Sequence, residues 1–386
     1  MRKITGYPRT NGDFGVRNHV LILPTVSCVN GVVQRIMRDV PEAAWITHAH
    51  GCSRGGPRDL EILFRILSRM VLHPNVGGVV LVGLGCEVSN TENLASFIKD
   101  AGKPVKIFNV QEDGGSLKTA QKAAEAARQI HEEIRNQQRV PMSWEKLMVS
   151  MKCGGSDAMS GVTANVALGS VSDWLVQKGA TVMFGENTEM IGTDHVLKRR
   201  AKNEQIAERI GKMVADAEKL THDIMGPLAG LVISPGNMDG GMSTIAEKSM
   251  GCIFKGGTTA INQVVDYGEV PSEKGLILQD GPGNDGDAMA GLAASGSQVI
   301  FFSTGRGTPV GFPILPVIKV ASNSKTFRAM PDDMDVNAGS LLEGESLDDL
   351  RTEMIDLMVR VINGEKTKAE TNGMDIFTFM TVHPPF

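Results

Sequence analysis

Short apolar runs and amphipathic stretches alternate along the first third of the chain. Apolar, β-rich runs at 19–26, 43–47, 76–83 and 105–110 predict strands. Between them, 31–39, 58–72 and 92–101 carry the spacing of helices with one apolar face. Strands that alternate with such helices predict a parallel sheet covered on both faces. Residues 117–138 form a long pattern rich in Ala, Glu, Lys and Gln whose outer face is charged, and Pro141 then marks a boundary. The alternation resumes with a strand at 147–151, a helix at 165–178, a strand at 181–184 and a charged helix at 195–220. Strand-like runs recur at 228–234, 275–278, 298–303 and 316–320, with helical stretches at 245–251 and 287–295 and an amphipathic helix at 347–363. The pattern predicts an α/β fold: two successive open, mostly parallel sheets with helices on both faces and glycine-rich loops at the carboxyl ends of the strands. Residues 1–140 form the first α/β domain and 141–386 the second region, with a further division near 225 left open.

The loops change the picture from architecture to chemistry. Strand after strand runs into Gly and small polar residues: KCGGSDAMSG after Met151, GENTEMIGTDH after Phe184, SPGNMDGG after Ile233, QDGPGNDGD after Leu278 and STGRGTPVG after Phe302. Such loops cradle anions through backbone N–H groups and helix amino ends. A turn role explains any single one. Charged residues beside so many of them point to binding. Three cysteines occupy loops of this kind: Cys52 in HAHGCSRGG, Cys86 in VVLVGLGCEV and Cys153 in LMVSMKCGGSD. The carboxyl ends of strands are where open α/β sheets hold their ligands, so these thiols predict one convergent metal site, with His48 as a further ligand. Thiolates select soft or borderline metals, which favours iron over magnesium or calcium. The opposing reading is that each is a small buried residue; it is the one assigned to Cys28 and Cys252.

Composition narrows the class. The apolar fraction is 41%, enough for a packed core, and charged residues make up 22%. The net charge of −5 and the absence of a basic block argue against nucleic acid as a partner. No apolar run is long enough to cross a bilayer, and the first residues carry no signal core. Five cysteines without framework spacing fit a reducing compartment, so a cytoplasmic location is expected. Some familiar catalytic strings are missing. There is no Walker pattern and no C-x-x-C, and Gly83 and Gly85 lack the third glycine of a dinucleotide fingerprint. Metal ligands, acid–base groups and anion loops remain. Together they suit removal of a weakly acidic proton next to a carboxylate, with a metal or a concentrated positive field to hold the resulting charge.

The same strings resemble those of the altronate and galactarate dehydratase family. The resemblance runs through GVRN (15–18), GLGCE (83–87), KCGGSD (152–157), EKSMGC (247–252), STGRG (303–307) and DMDVNAG (333–339). It implies an iron-dependent lyase that removes water from a sugar acid to give a 2-keto-3-deoxy acid. Fused members of the family carry a small antifreeze-like domain ahead of this region, so the chain is expected to act as a large subunit with a separate small one, in an oligomer. The family also includes two-subunit lyases that expel sulfite from sulfolactate, which keeps that leaving group open. A non-catalytic metal-binding or scaffold subunit is the reading from a different class.

Residue by residue, Cys52, Cys86, Cys153 and His48 are the expected metal ligands, and the iron is either a mononuclear ferrous ion or a 4Fe–4S cluster. Lys152, Glu186, Glu189 and His50 are the expected catalytic groups. Arg306, between two glycines, matches a carboxylate in two-point geometry, and Asp157 and Lys248 complete the expected substrate contacts. Capping or packing roles stand beside each of these assignments.

Overall fold

The computed structural model describes residues 2–52, 56–98, 102–231 and 233–383. The chain divides into two compact units. The larger comprises Met1–Ile4, Ser143–Phe312 and Pro316–Asp375; the smaller comprises Thr5–Met142, Pro313–Leu315 and Ile376–Phe386.

Among the described residues the smaller unit contains seven strands: β1 (Ile4–Pro8, whose first residue belongs to the larger unit), β2 (Phe14–Gly15), β3 (His19–Pro24), β4 (Ala44–Trp45), β5 (Val76–Gly83), β6 (Val105–Asn109) and β7 (Val140–Met142). Four form a parallel sheet in the order β4-β3-β5-β6. Strand β5 is buried along its whole length, which is why it reads as one unbroken apolar run. Val20, Ile22, Val80 and Val82 alternate onto one face and pack against Val33 and Ile36 of the helix Asn30–Asp39 and Ala123, Ala127 and Ile130 of the helix Ser116–Ile134. The charged outer face expected of that last helix lies against water. A short ribbon, β2-β1-β7, completes the unit; the sequence pattern did not reveal it because its strands are short.

The larger unit holds β8 (Met148–Cys153), β9 (Thr181–Phe184), β10 (Ile261–Asp266), β11 (Leu276–Asp280), β12 (Val299–Thr304), β13 (Val317–Ala321) and β14 (Val336–Asn337). All are parallel, in the order β10-β11-β9-β8-β12-β13-β14. The first strand, β8, lies in the middle. The chain builds outward on one side through β9, then returns to add β12 on the other. The carboxyl end of β8 is therefore a topological switch point, where loops leave in opposite directions and open a crevice. Phe302 pairs with Lys152 and Ser303 with Cys153 in the register of β12 and β8.

Three segments depart from the pattern. The described residues of the run 228–234 do not form the expected strand: a 3-10 helix covers Gly226–Leu231, and Ser234 caps the helix Pro235–Asp239. A short apolar run cannot by itself distinguish the two, and the glycines and Pro235 favour tight turns. The charged stretch 195–220 is two helices, Asp194–Arg199 and Glu204–Met225, because Asn203 accepts a hydrogen bond from the Ile206 N–H and starts the second. Strand β10 was hidden by Asn262 and Gln263, whose side chains bond residues 272–274 at the sheet edge. Among the described residues no helix is long and apolar enough to cross a membrane.

Candidate active site at the edge of the large sheet

Lys152 and Cys153 end β8 and point into a largely buried cluster of charges. The Lys152 ammonium donates to Glu186 Oε1 at 2.5 Å, to Asp285 Oδ1 at 2.8 Å and to the Cys153 carbonyl. It also lies 5.3 Å from the centre of the Phe302 ring. Gly154 keeps this geometry possible: a Cβ there would sit 2.4 Å from Asp285 Oδ1 and 2.8 Å from the Phe302 ring. Glu186 and Glu189 come from the turn after β9. Glu186 has φ +76°, the single positive φ on a non-glycine residue among those described, and such a conformation costs about 1–3 kcal/mol. The turn is fastened to β11 by Asn187, whose N–H bonds the Gly281 carbonyl at 2.9 Å and whose amide bonds Asp280 at 2.9 Å.

The other wall is the helix Ile245–Cys252 and the turn after it. Lys248, Cys252 and Lys255 fall at i, i+4 and i+7, on one helical face. Lys248 pairs with Glu189 Oε1 at 2.7 Å, and Lys255 pairs with Glu186 Oε2 at 2.6 Å. Lys255 also donates to the Cys153 sulfur at 3.1 Å. The helix reaches this position because Gly251 and Gly161 meet backbone to backbone; a Cβ on Gly161 would come within 2.8 Å of Gly251. Cys153 and Cys252 lie with their sulfurs 3.3 Å apart, and both thiols donate to Glu189 Oε2, at 3.0 and 3.2 Å.

The electrostatics follow from this packing. Burial alone would discharge Lys152 and Lys255. Glu186 and its neighbouring acids outweigh that for Lys152, and Cys153 and Glu186 do so for Lys255, so both are held above the usual lysine range. Burial raises the Glu186 carboxyl, and Lys152 and Lys255 offset this only in part. Burial would also raise Glu189, but Lys248, Lys255 and Lys152 together hold it well below the usual carboxylate range. The hydrogen bond with Cys153 and burial push the Cys252 thiol up. Two carboxyls a few residues apart are thus driven in opposite directions by their surroundings.

Among the described residues, Cys153, Glu189 and Cys252 are the group of His, Cys, Asp and Glu side chains close enough to share one ion, their ligand atoms lying within 4.8 Å of one another. The charges test whether a cation fits. Lys152, Lys248 and Lys255 contribute +3 and Glu186, Glu189 and Asp285 contribute −3, so the cluster is neutral with both thiols protonated. Exchanging two thiol protons for a divalent cation leaves that sum unchanged. Two sulfurs and a carboxylate oxygen suit a borderline metal such as iron.

The structure brings together Lys152, Cys153, Glu186, Glu189 and Lys248 from the residues singled out by sequence. It adds Cys252, which sequence reasoning assigned to packing, and Lys255 and Asp285, which it passed over. The signal for two of these was the helical spacing within EKSMGCIFK. Asp157 stands on the adjoining loop, where Oδ1 accepts from the Ser160 N–H, the Ser160 hydroxyl and the Ser322 hydroxyl, and Oδ2 accepts from Asn323 at 2.9 Å. It fastens that loop to the end of β13. Arg306 is exposed, and its N–H donates to the Gly155 carbonyl at 2.7 Å.

The remaining candidates lie in the smaller unit. His48 is buried and uses both ring nitrogens: Nε2–H donates to the Pro24 carbonyl at 2.8 Å and Nδ1 accepts the His50 N–H at 3.1 Å. Neither nitrogen is open to a metal, and burial lowers the ring's pKa to about 4. His50 stacks on Phe379, ring centres 3.8 Å apart. Cys52 and Cys86 are exposed.

Comparison with known proteins places this arrangement. Residues 144–384 match the family described as D-galactarate/Altronate dehydratase, C-terminal, and residues 6–135 match D-galactarate dehydratase/Altronate hydrolase, second domain. The chain belongs to the galactarate/altronate dehydratase family. It is 38% identical to altronate dehydratase of Bacillus subtilis (strain 168) over 96% of this chain and 76% of that one. Altronate dehydratase of Escherichia coli (strain K12) is 35% identical over the same shares. The (2R)-sulfolactate sulfo-lyase subunit beta of Chromohalobacter salexigens is 33% identical over 96% of this chain and 95% of that one. Dehydratases are carbon–oxygen lyases, and this member of the galactarate/altronate dehydratase family is an enzyme of that class. The two matched segments meet between residues 135 and 144, close to Ser143, where the larger unit resumes.

Proposed function

We propose that the chain dehydrates a sugar acid of the altronate or galactarate type, releasing water and leaving a 2-keto-3-deoxy acid. The observation that carries this reading is a buried pair of glutamates, wired to three lysines at a sheet switch point, in a chain related along 96% of its length to altronate dehydratases. In the proposed reaction Glu186 takes the proton from the carbon next to the substrate carboxylate. Lys152 and Lys255 stabilise the negative charge that develops there, in a site that excludes water. The carbon–oxygen bond to the neighbouring hydroxyl breaks, that oxygen leaves as water after receiving back the proton Glu186 removed, and the resulting enol becomes the ketone. Arg306 clamps the substrate carboxylate in two-point geometry. Lys248 and Asp285, 13% and 34% exposed at their side chains where Lys152 and Glu186 are closed to solvent, form the side from which substrate arrives.

Cys153, Glu189 and Cys252 are the residues that would hold iron, and a bound iron would supply Lewis-acid polarisation of a substrate oxygen. The names of the chain's relatives are those of metabolic enzymes, which supports a cytoplasmic setting, and the name of the sulfolactate relative, subunit beta, supports assay with a small partner chain. The test is keto-acid formation from a panel of aldonates and aldarates, with ferrous iron and partner supplied. A turnover with one of them is expected, and none with any would overturn the reading. A second reading rests on the relative matched over 95% of its own length: the same proton removal with sulfite as the leaving group. Sulfite release from sulfolactate without dehydration of any sugar acid would favour it.

A further inference from the structure

Three lysines are buried among the described residues: Lys152, Lys255 and Lys319. The chemistry above uses the first two and leaves the third aside. Lys319 stands on β13 in register with Phe302 of β12, and Phe302 is in register with Lys152 of β8. Residues in register on neighbouring parallel strands project from the same face of the sheet, so the three side chains stand abreast. The centre of the Phe302 ring is 5.3 Å from the Lys152 ammonium and 5.5 Å from that of Lys319, both within the range of cation–π attraction.

The three lysines differ in their partners. Lys152 is paired with Glu186 and Asp285, and Lys255 with Glu186. Lys319 has no ion pair among the described residues, and its ammonium donates one hydrogen bond, to the Thr308 carbonyl at 3.0 Å. An ammonium has three N–H groups, so two are left without an acceptor there. The neighbouring carboxylates are turned elsewhere. Asp335 gives Oδ2 to the backbone N–H of Lys319 at 2.7 Å and Oδ1 to that of Lys368 at 3.1 Å, and Asp285 gives Oδ1 to Lys152. Burial pushes the pKa of Lys319 down to about 8, and Asp335, Asp333 and Asp285 offset this only in part.

A buried cation without a bonded counter-charge is costly, and a neutral donor would serve to hold one carbonyl. The cost is explained if the counter-charge arrives with a ligand. Thr308 belongs to the loop STGRGTPVG, two residues beyond the exposed Arg306. Lys319 is therefore bonded to the loop that carries Arg306, and the two cations differ in that one is open to water and the other closed. The cluster around Glu186 and Glu189 is neutral and offers an arriving anion no net attraction; Lys319 and Arg306 supply it. We propose that Lys319 binds the carboxylate of the sugar-acid substrate together with Arg306, as the buried half of a two-cation site. The two oxygens of a carboxylate have acceptor positions enough for the free ammonium N–H groups and the guanidinium fork. Charge rules out a metal ion as the occupant. The proposal rests on the dehydratase reading for the identity of the acid.

The test titrates the full chain, supplied with ferrous iron and partner, with aldonates and aldarates and with their amides, which replace the charged group by a neutral one of similar shape. Calorimetry reads binding, and turnover is measured separately. At least one acid should bind the wild type about a hundredfold more tightly than its amide. Lys319→Met should cut that preference about tenfold by weakening the acid alone, with a urea midpoint unchanged or raised because a buried charge is gone. Lys319→Gln keeps a donor for the Thr308 carbonyl without the charge and should lose the same preference. No preference in the wild type, an intact preference in either variant, an equal loss for acid and amide, or a lowered urea midpoint in Lys319→Met would each overturn the proposal. An acid dehydrated with the same KM in both variants would overturn it and leave the dehydratase reading standing. An acid whose preference is lost in both variants, but which is not dehydrated, would support Lys319 as its binding residue and count against the dehydratase reading.

Discussion

The two parallel sheets end in the same way and are used differently. At the carboxyl edge of the large sheet, Lys152, Lys255, Glu186 and Glu189 are buried and satisfied by one another. At the same edge of the small sheet, the buried polar groups His48 and Glu87 are satisfied by backbone and by the Thr25 hydroxyl, and the thiols stay outside. In the first, side-chain charge answers side-chain charge, so every group is chemically poised and none can be removed alone. In the second, fixed backbone dipoles and one neutral hydroxyl do the satisfying and the side chains hold loops in place. Strand-end loops look alike in sequence. What distinguishes a reactive edge from a structural one is which partner each buried group finds.

The sharpest way to break the contrast is to unbalance the large edge. Glu186→Gln keeps the shape and leaves Lys152 and Lys255 without their main counter-charge. Breaking a buried pair costs about 3–5 kcal/mol, and loss of the proposed base should lower turnover about a thousandfold. Urea unfolding and keto-acid formation measure the two effects; normal turnover in a folded Glu186→Gln enzyme would remove Glu186 from the mechanism.

The small edge should respond to acid instead. His48 has a pKa of about 4 in the folded chain against 6.5 when unfolded, so the unfolded chain binds the proton more readily. Its contribution is complete above pH 6.5 and is lost as pH falls from there towards 4, to a total of about 3 kcal/mol. His48→Gln should flatten the fall in urea midpoint between pH 7 and pH 5. An unchanged slope would show that other groups govern acid stability.

Cys252→Ser addresses the thiol pair. A packing role alone costs about 1–3 kcal/mol. A ligand role adds a loss of bound iron and about a tenfold drop in turnover, because a hydroxyl is a poor substitute for thiolate. Full iron and full activity in this variant would return Cys252 to packing. The smallest structural effect belongs to Arg306→Gln. The side chain is exposed, so stability should stay within about 0.5 kcal/mol, while KM for a carboxylate substrate rises about tenfold with kcat nearly unchanged. An unaltered KM would show that the carboxylate is held elsewhere.

Much of this molecule is legible in the chain itself. Continuous apolar runs such as 76–83 and 181–184 are strands buried on both faces, and they coincide with β5 and β9 to the residue. The strand–helix alternation determines parallel sheets, because a parallel strand needs a crossover to return. The glycine loops after those strands are equally local, since a sharp turn and a close backbone approach require glycine wherever they occur. Segments whose nature depends on neighbours were not legible: β10, polar enough to read as loop, is a strand because β11 lies beside it.

The membership of the site was decided by tertiary structure alone. Nothing within KCGGSD says that Cys153 faces Cys252, 99 residues further on, across a carboxylate oxygen of Glu189. Spacing along a chain reports the faces of one element. It does not report which elements a topology will set side by side, nor which of several similar lysines will lose its water and keep its charge because a glutamate is waiting there.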